Sequence, residues 1–163
     1  MLKSTMARII LITTIVLVLI AIVLFIAVAF NEKDTSVIMV KLDSGENEKI
    51  SFENLALIPG EQCEYEIELS VGSVKKYDLK LEFAEKKDGA LKRFACAKVI
   101  VDGKVVFDDV LFKLFEKGTI ELPIDLSEKD NTKIDLIYYL PDSIGNEAQE
   151  TEATFDLIIT ANN

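Results

Sequence analysis

The chain contains no histidine, only two cysteines, and no acidic residue before Glu32. Each scarcity excludes something. Without histidine there is no Ser-His-Asp or Cys-His nucleophile system and no His-ligated zinc protease site. Neither Cys63 nor Cys96 has a histidine base to activate it. Glycine is sparse as well, with seven in 163 residues, and none form a phosphate-cradling loop or a nucleophile elbow. Basic charge falls short of acidic charge. After Phe30 there are 16 Lys and Arg against 28 Asp and Glu, a net of −12. A surface of that sign repels phosphates, so nucleic acid is excluded as a partner. The length rules out two sizeable domains in addition to a membrane segment.

What is present divides at residue 30. Ile9–Phe30 is a run of 22 residues without a charge, broken only by Thr13 and Thr14. As a helix it spans about 33 Å, enough to cross a bilayer core. Seventeen of its residues are Ile, Leu, Val or Phe, which favours insertion by roughly 5–10 kcal/mol. Lys3 and Arg8 precede the run, and Glu32 and Asp34 follow it. The positive-inside bias leaves the N-terminus in the cytoplasm and places the rest outside. The run is longer than the apolar region of a signal peptide, which favours a retained anchor. Ala27-Val28-Ala29 nevertheless offers a small-x-small cleavage site, so secretion stays open. Residues 1–30 are thus a membrane anchor or signal segment, and residues 31–163 an extracytoplasmic domain. The expected partner of Ile9–Phe30 is the lipid bilayer.

The domain reads as all-β. In Cys63-Glu64-Tyr65-Glu66-Ile67-Glu68-Leu69 every second residue is Glu, which describes a strand with one wet and one dry face. Tyr77-Asp78-Leu79-Lys80-Leu81-Glu82-Phe83 repeats the pattern, and Ile134, Leu136, Tyr138 and Leu140 form another in-phase set. Ala153–Ile159 follows it less cleanly, because Ile158 falls on the wet side. Val37–Val40 and Ile120–Ile124 are shorter candidates, and Pro123 predicts a sheet edge for the second. Asp102-Gly103 sits between Lys98–Val101 and Lys104–Phe107, a two-residue hairpin signal. Asp109 to Glu116 is either a short helix capped by Asp108 or Asp109 or a continuing strand. Eight or nine strands at roughly ten-residue spacing predict an antiparallel β-sandwich or jelly roll.

Strand phase turns Cys63 inward; if Ala95, Ala97, Val99 and Val101 face the core, Cys96 faces outward and a disulfide between the two needs a bulge. Outside the cytoplasm that pair is still a candidate disulfide. Glu128-Lys129-Asp130-Asn131 and Asp142–Glu147 are oxygen-rich, but neither has EF-hand spacing. A calcium- or carboxylate-dependent hydrolase is the weakest reading. No residue set calls for a catalytic centre, a metal or a cofactor, so a non-enzymatic role is expected.

Four segments taken in order resemble the camelysin/TasA-type family of exported bacterial β-sandwich proteins. They are the apolar segment leading to Ala29-Phe30-Asn31, Phe52–Glu61, Val99–Phe107 with the Leu-rich stretch to Leu114, and Tyr139–Ala161 with its Asn146-Glu147-Ala148-Gln149 turn. The resemblance implies a jelly-roll-like sandwich at the cell surface or in a biofilm matrix. It also implies, for some members, fibres in which one subunit's N-terminal strand completes the next subunit's sheet. By position that donor strand is Thr35 to Leu42, with Thr35, Val37, Met39 and Lys41 as its marked residues, freed by cleavage at Ala27–Ala29. The Tyr/Phe-rich stretch often found around the family's cleavage site is absent here apart from Phe30, which favours a tethered form. Camelysin-like members are also called metalloproteases, an activity that no motif in this chain supports. The expected contacts are self-association or other envelope proteins.

Overall fold

The computed structural model describes residues 35–162, apart from Ser44, Ser73, Val74, Glu128, Lys129 and Gln149. The apolar run Ile9–Phe30 and the Ala27–Ala29 junction lie outside the described residues. Among the described residues no helix is long and apolar enough to cross a membrane.

Residues 35–162 form one two-layered β-sandwich. The strands are β1 Thr35–Leu42, β2 Asn47–Leu55, β3 Gln62–Val71, β4 Lys76–Lys87, β5 Cys96–Val101, β6 Lys104–Val110, β7 Thr119–Asp125, β8 Thr132–Tyr139 and β9 Ala153–Asn162. A seven-residue helix, α1 (Leu111–Lys117), links β6 to β7. Short 3-10 turns occupy Ala90–Arg93 and Asn146–Ala148. One sheet has the order β1-β3-β8-β5-β6 and the other β2-β9-β4-β7.

Alternation explains why these segments are strands. In β4, Tyr77, Leu79, Leu81 and Phe83 are buried, while Asp78, Lys80 and Glu82 lie on the opposite face. In β3 the buried set is Ile67, Leu69 and Val71, and in β8 it is Ile134, Leu136 and Tyr138. Each such Leu or Ile contributes about 1.5–3 kcal/mol by leaving water. Between the layers the rings interlock. Phe155 stacks on Phe52 at 4.9 Å and meets Tyr138 at 5.5 Å, and Tyr65 meets Phe52 edge-on at 4.9 Å. Across the same interior the hydroxyls of Tyr77 and Thr132 share a 2.7 Å hydrogen bond. That bond satisfies the buried Thr132 and ties β4 to β8.

The hairpin forms at Asp102-Gly103 with φ of 51° and 78°, the left-handed pair this tight turn needs. β7 lies at a sheet edge, with Pro123 inside it. Ile158 lies on the outer face, opposite Lys49 on one side and Glu82 on the other, where long side chains cover it.

The structure departs from expectation in three places. Six of the seven strand pairings are antiparallel, but β1 runs parallel to β3, so the sandwich is not wholly antiparallel. The cause is β2, which crosses to the other sheet and returns the chain in its original direction. Next, β2 itself went unmarked, because only Phe52 and Leu55 of its nine residues are buried. Last, neither Asp108 nor Asp109 caps α1. The cap position is Val110, because β6 continues to that residue and holds Asp109 opposite Ala97.

Strand phase in β4 predicts a contrast between neighbours. Leu81→Asp puts an unpaired charge among wholly buried side chains and should abolish folding, at a cost above about 4 kcal/mol. Lys80→Asp removes an exposed ion pair with Glu82 and should shift stability by less than about 1 kcal/mol. Thermal melts of both variants check the register.

Candidate functional site

Sequence reasoning marked β1, the two cysteines and the acidic loops. β1 is an edge strand paired on one side only, in unbroken register from Thr35 opposite Glu64 to Leu42 opposite Val71. Its two faces differ from the marked set. Val40 and Leu42 enter the core with Ile38 packed against it. Val37 is 55% exposed, Met39 78% exposed, and Lys41 also faces solvent. The marked residues Val37, Met39 and Lys41 therefore form the solvent face of β1, and Ile38, Val40 and Leu42 hold it in place. Beside them run Glu64, Glu66 and Glu68 of β3.

Cys63 and Cys96 are both free thiols. They flank β8, Cys63 opposite Tyr138 and Cys96 opposite Tyr139. Tyr138 points into the sandwich and Tyr139 out of it, so the sheet lies between the two sulfurs. Two strand spacings separate their backbones by about 9–10 Å, beyond the reach of a disulfide. The candidate disulfide is therefore absent. Burial pushes the Cys63 thiol up, and Glu61 adds to the effect; such a thiol is a poor nucleophile. Outside, a hydrogen bond with Cys96 holds the Tyr139 phenol above its usual value.

Twelve carboxylates among the described residues form ion pairs with lysine ammonium groups. Lys133 joins Glu66 at 2.7 Å and Asp135 at 3.3 Å, and Lys98 joins Asp108 at 3.1 Å. Asp156 accepts 2.6 Å from the Ser51 hydroxyl and faces Lys49 and Lys86; the Ser51 bond leads in holding its carboxyl low. Asp125 is held at about 2 by Ser127 and Lys76. The buried Lys92 takes Glu85 and Asp88 at 2.7 Å each and lies 5.8 Å from the Phe112 ring. These are neutralised ladders and staples. An acid–base pair needs instead a carboxyl kept protonated by burial or by an unscreened neighbouring charge. Among the described residues no group of three or more metal-ligating side chains gathers. Of the acidic loops, Glu128 and Lys129 lie outside the described residues; Asp130 pairs with Lys75 at 3.3 Å.

Sequence reasoning missed one concavity, an open groove of about 530 Å³ between residues 56–59 and 150–152. Ile58 lies on it, 63% exposed, while Glu152 is bound to Lys87 at 2.7 Å. Turn residues with no periodicity line it, so the sequence carried no sign of it.

No family model matches the chain, and no curated protein matches it. Solved structures with a related course of the chain include a periplasmic inhibitor of g-type lysozyme from Aeromonas hydrophila. That protein is 10% identical over 78% of this chain and 99% of its own, with a TM-score of 0.40. The pre-peptidase C-terminal domain of a Bacillus anthracis collagenase is 10% identical over 78% of this chain and 99% of its own, at 0.37. The CUB1-EGF-CUB2 domains of rat MASP-1 are 13% identical over 76% of this chain and 42% of theirs, at 0.36.

One core group yields a prediction. The Tyr138 hydroxyl is wholly buried and has no hydrogen-bond partner among the described residues. Removing an unpaired buried hydroxyl relieves its desolvation cost. Tyr138→Phe should therefore hold or raise stability, by up to about 1 kcal/mol. Burial also holds this phenol above its free value of 10.0. A raised folded-state pKa gives stability that is present below 10.0 and lost as pH rises beyond it. The variant should lose less melting temperature than the parent between neutral pH and about pH 11.

Proposed function

We propose that this chain is a non-enzymatic, single-pass membrane protein whose β-sandwich stands outside the cytoplasm and acts in the cell envelope or matrix by protein–protein contact. In this reading Ile9–Phe30 is one apolar helix that holds the chain in the bilayer. The sandwich is taken as jelly-roll-like, with β1 as its one parallel departure. The observation that carries the proposal is the contrast between the faces and the edge. Outward carboxylates such as Glu66 and Asp108 are bound to lysines, whereas the edge strand β1 offers backbone unpaired on one side together with exposed Val37 and Met39. Backbone of this kind takes up another strand, with alternate side chains setting the register.

A second reading, secretion followed by fibre assembly through donor-strand exchange, draws on the same strand. β1 touches one neighbour in its sheet and leads directly from the Ala27–Ala29 junction. Its departure would open a slot along β3 sized for Ile38, Val40 and Leu42 of another copy. That fibre state requires a free N-terminus, and the anchor requires an intact one.

N-terminal sequencing of exported material separates the two. The anchored reading expects the Lys3–Arg8 segment intact and the protein in the membrane fraction. A mature start at Phe30 in the medium would replace it with the fibre.

A further inference from the structure

The two sheets end in four edges, and three of them are built against pairing. β7 carries Pro123, which lacks an N–H to donate. β6 loses register against β5 between Val99 and Ile100 and carries Asp108 and Asp109. β2 loses register against β9 after Phe52, where Asn54 takes a φ of 55°, and it exposes Glu48, Lys49 and Glu53. Prolines, bulges and charges are the usual means of keeping a sheet edge from pairing with another chain. β1 has none of them except one charge. Its eight residues pair without a shift, include no proline and carry only Lys41. It also bears two of the five large exposed hydrophobic side chains among the described residues, Val37 and Met39.

We propose that the free edge of β1 is a self-association surface, at which two copies join β1 to β1 antiparallel about a two-fold axis without strand exchange. This rests on the reading of the domain as one that acts by protein contact, and it names a second copy as the partner. The self-complementary register is centred on Ile38. It sets Val37 opposite Met39 of the other copy, twice, with Ile38 against Ile38 on the inner side. It also sets each Lys41 opposite Thr35, one strand from the row of Glu64, Glu66 and Glu68. Lys41 makes no ion pair among the described residues. Centring the pair on Met39 instead would place Lys41 on Val37. Centring it on Val37 would place Met39 on Thr35 and carry Lys41 past the end of the other strand. Net charge points to the same edge. Two copies, each with 16 basic and 28 acidic residues after Phe30, repel one another. Residues 35–42 are a stretch that carries no acid. Pairing through a single edge is a small interface, so association is weak and depends on concentration.

The test uses the full chain in detergent, with Cys63→Ser and Cys96→Ser to remove the native thiols. One preparation carries Val37→Cys and the other Met39→Cys. Mixed and mildly oxidised, they should give a covalent dimer at least about fivefold more abundant than either gives alone, since only facing pairs meet disulfide geometry. Met39→Lys, made in the otherwise unaltered chain, should weaken the dimer at least about tenfold. It should leave the melting midpoint unchanged, because Met39 is already exposed and sits beside Glu68. No excess cross-link in the mixture, or full dimerisation of Met39→Lys, overturns the proposal. If that failure comes with the N-terminus intact in membranes, the reading of function survives and only the self-pairing falls.

Discussion

The meeting of two apolar faces around one ring cluster is the constraint on which the rest depends. Phe155 of β9 stacks on Phe52 of β2 within one sheet and meets Tyr138 of β8 across the interior. Tyr65 of β3 closes against both Phe52 and Tyr138. Four strands from two layers are thereby placed by rings that fit together in one way. Moving any of these strands by one residue would send its buried set into water. Placing β3 through β8 also places β1, which has no other sheet neighbour. The exposure of Val37 and Met39 is therefore a consequence of packing at the far side of the layer.

Much of this was legible because alternation is a strong signal wherever one face is wet. β3, β4, β8 and β9 carry it, and so does the Asp102-Gly103 turn. The misses have particular causes. β2 exposes most of its side chains and bends at Asn54, so no dry face showed. In β1, Val37-Ile38-Met39-Val40 is apolar in both phases, and either set could have been the inner one. Only the packing of Val40 and Leu42 decides. Parallel pairing of β1 with β3 is a matter of topology, since it follows from β2 crossing between layers. The cap of α1 was misplaced by one or two residues because Asp109 remains in the ladder.

The interior of the sandwich is filled with side chains, and its cysteines stand on opposite sides of a sheet. Under the proposed role by contact, a sheet edge is where pairing is most direct, because its backbone donors and acceptors are already aligned. Three edges carry features that oppose pairing and one does not. In the proposed pairing, the lone positive charge at Lys41, with no acid in residues 35–42, lets an otherwise repulsive molecule approach another at that edge.

The claim beneath all of this is that the ring cluster holds the two layers in their single arrangement. Chemical denaturation of Phe155→Ala against the parent chain tests it most directly. Phe155 is wholly buried and touches rings from both sheets, so the account predicts a loss of about 3–5 kcal/mol. A loss below about 1 kcal/mol would contradict it, since a ring that can be removed so cheaply is not what keys the sheets together.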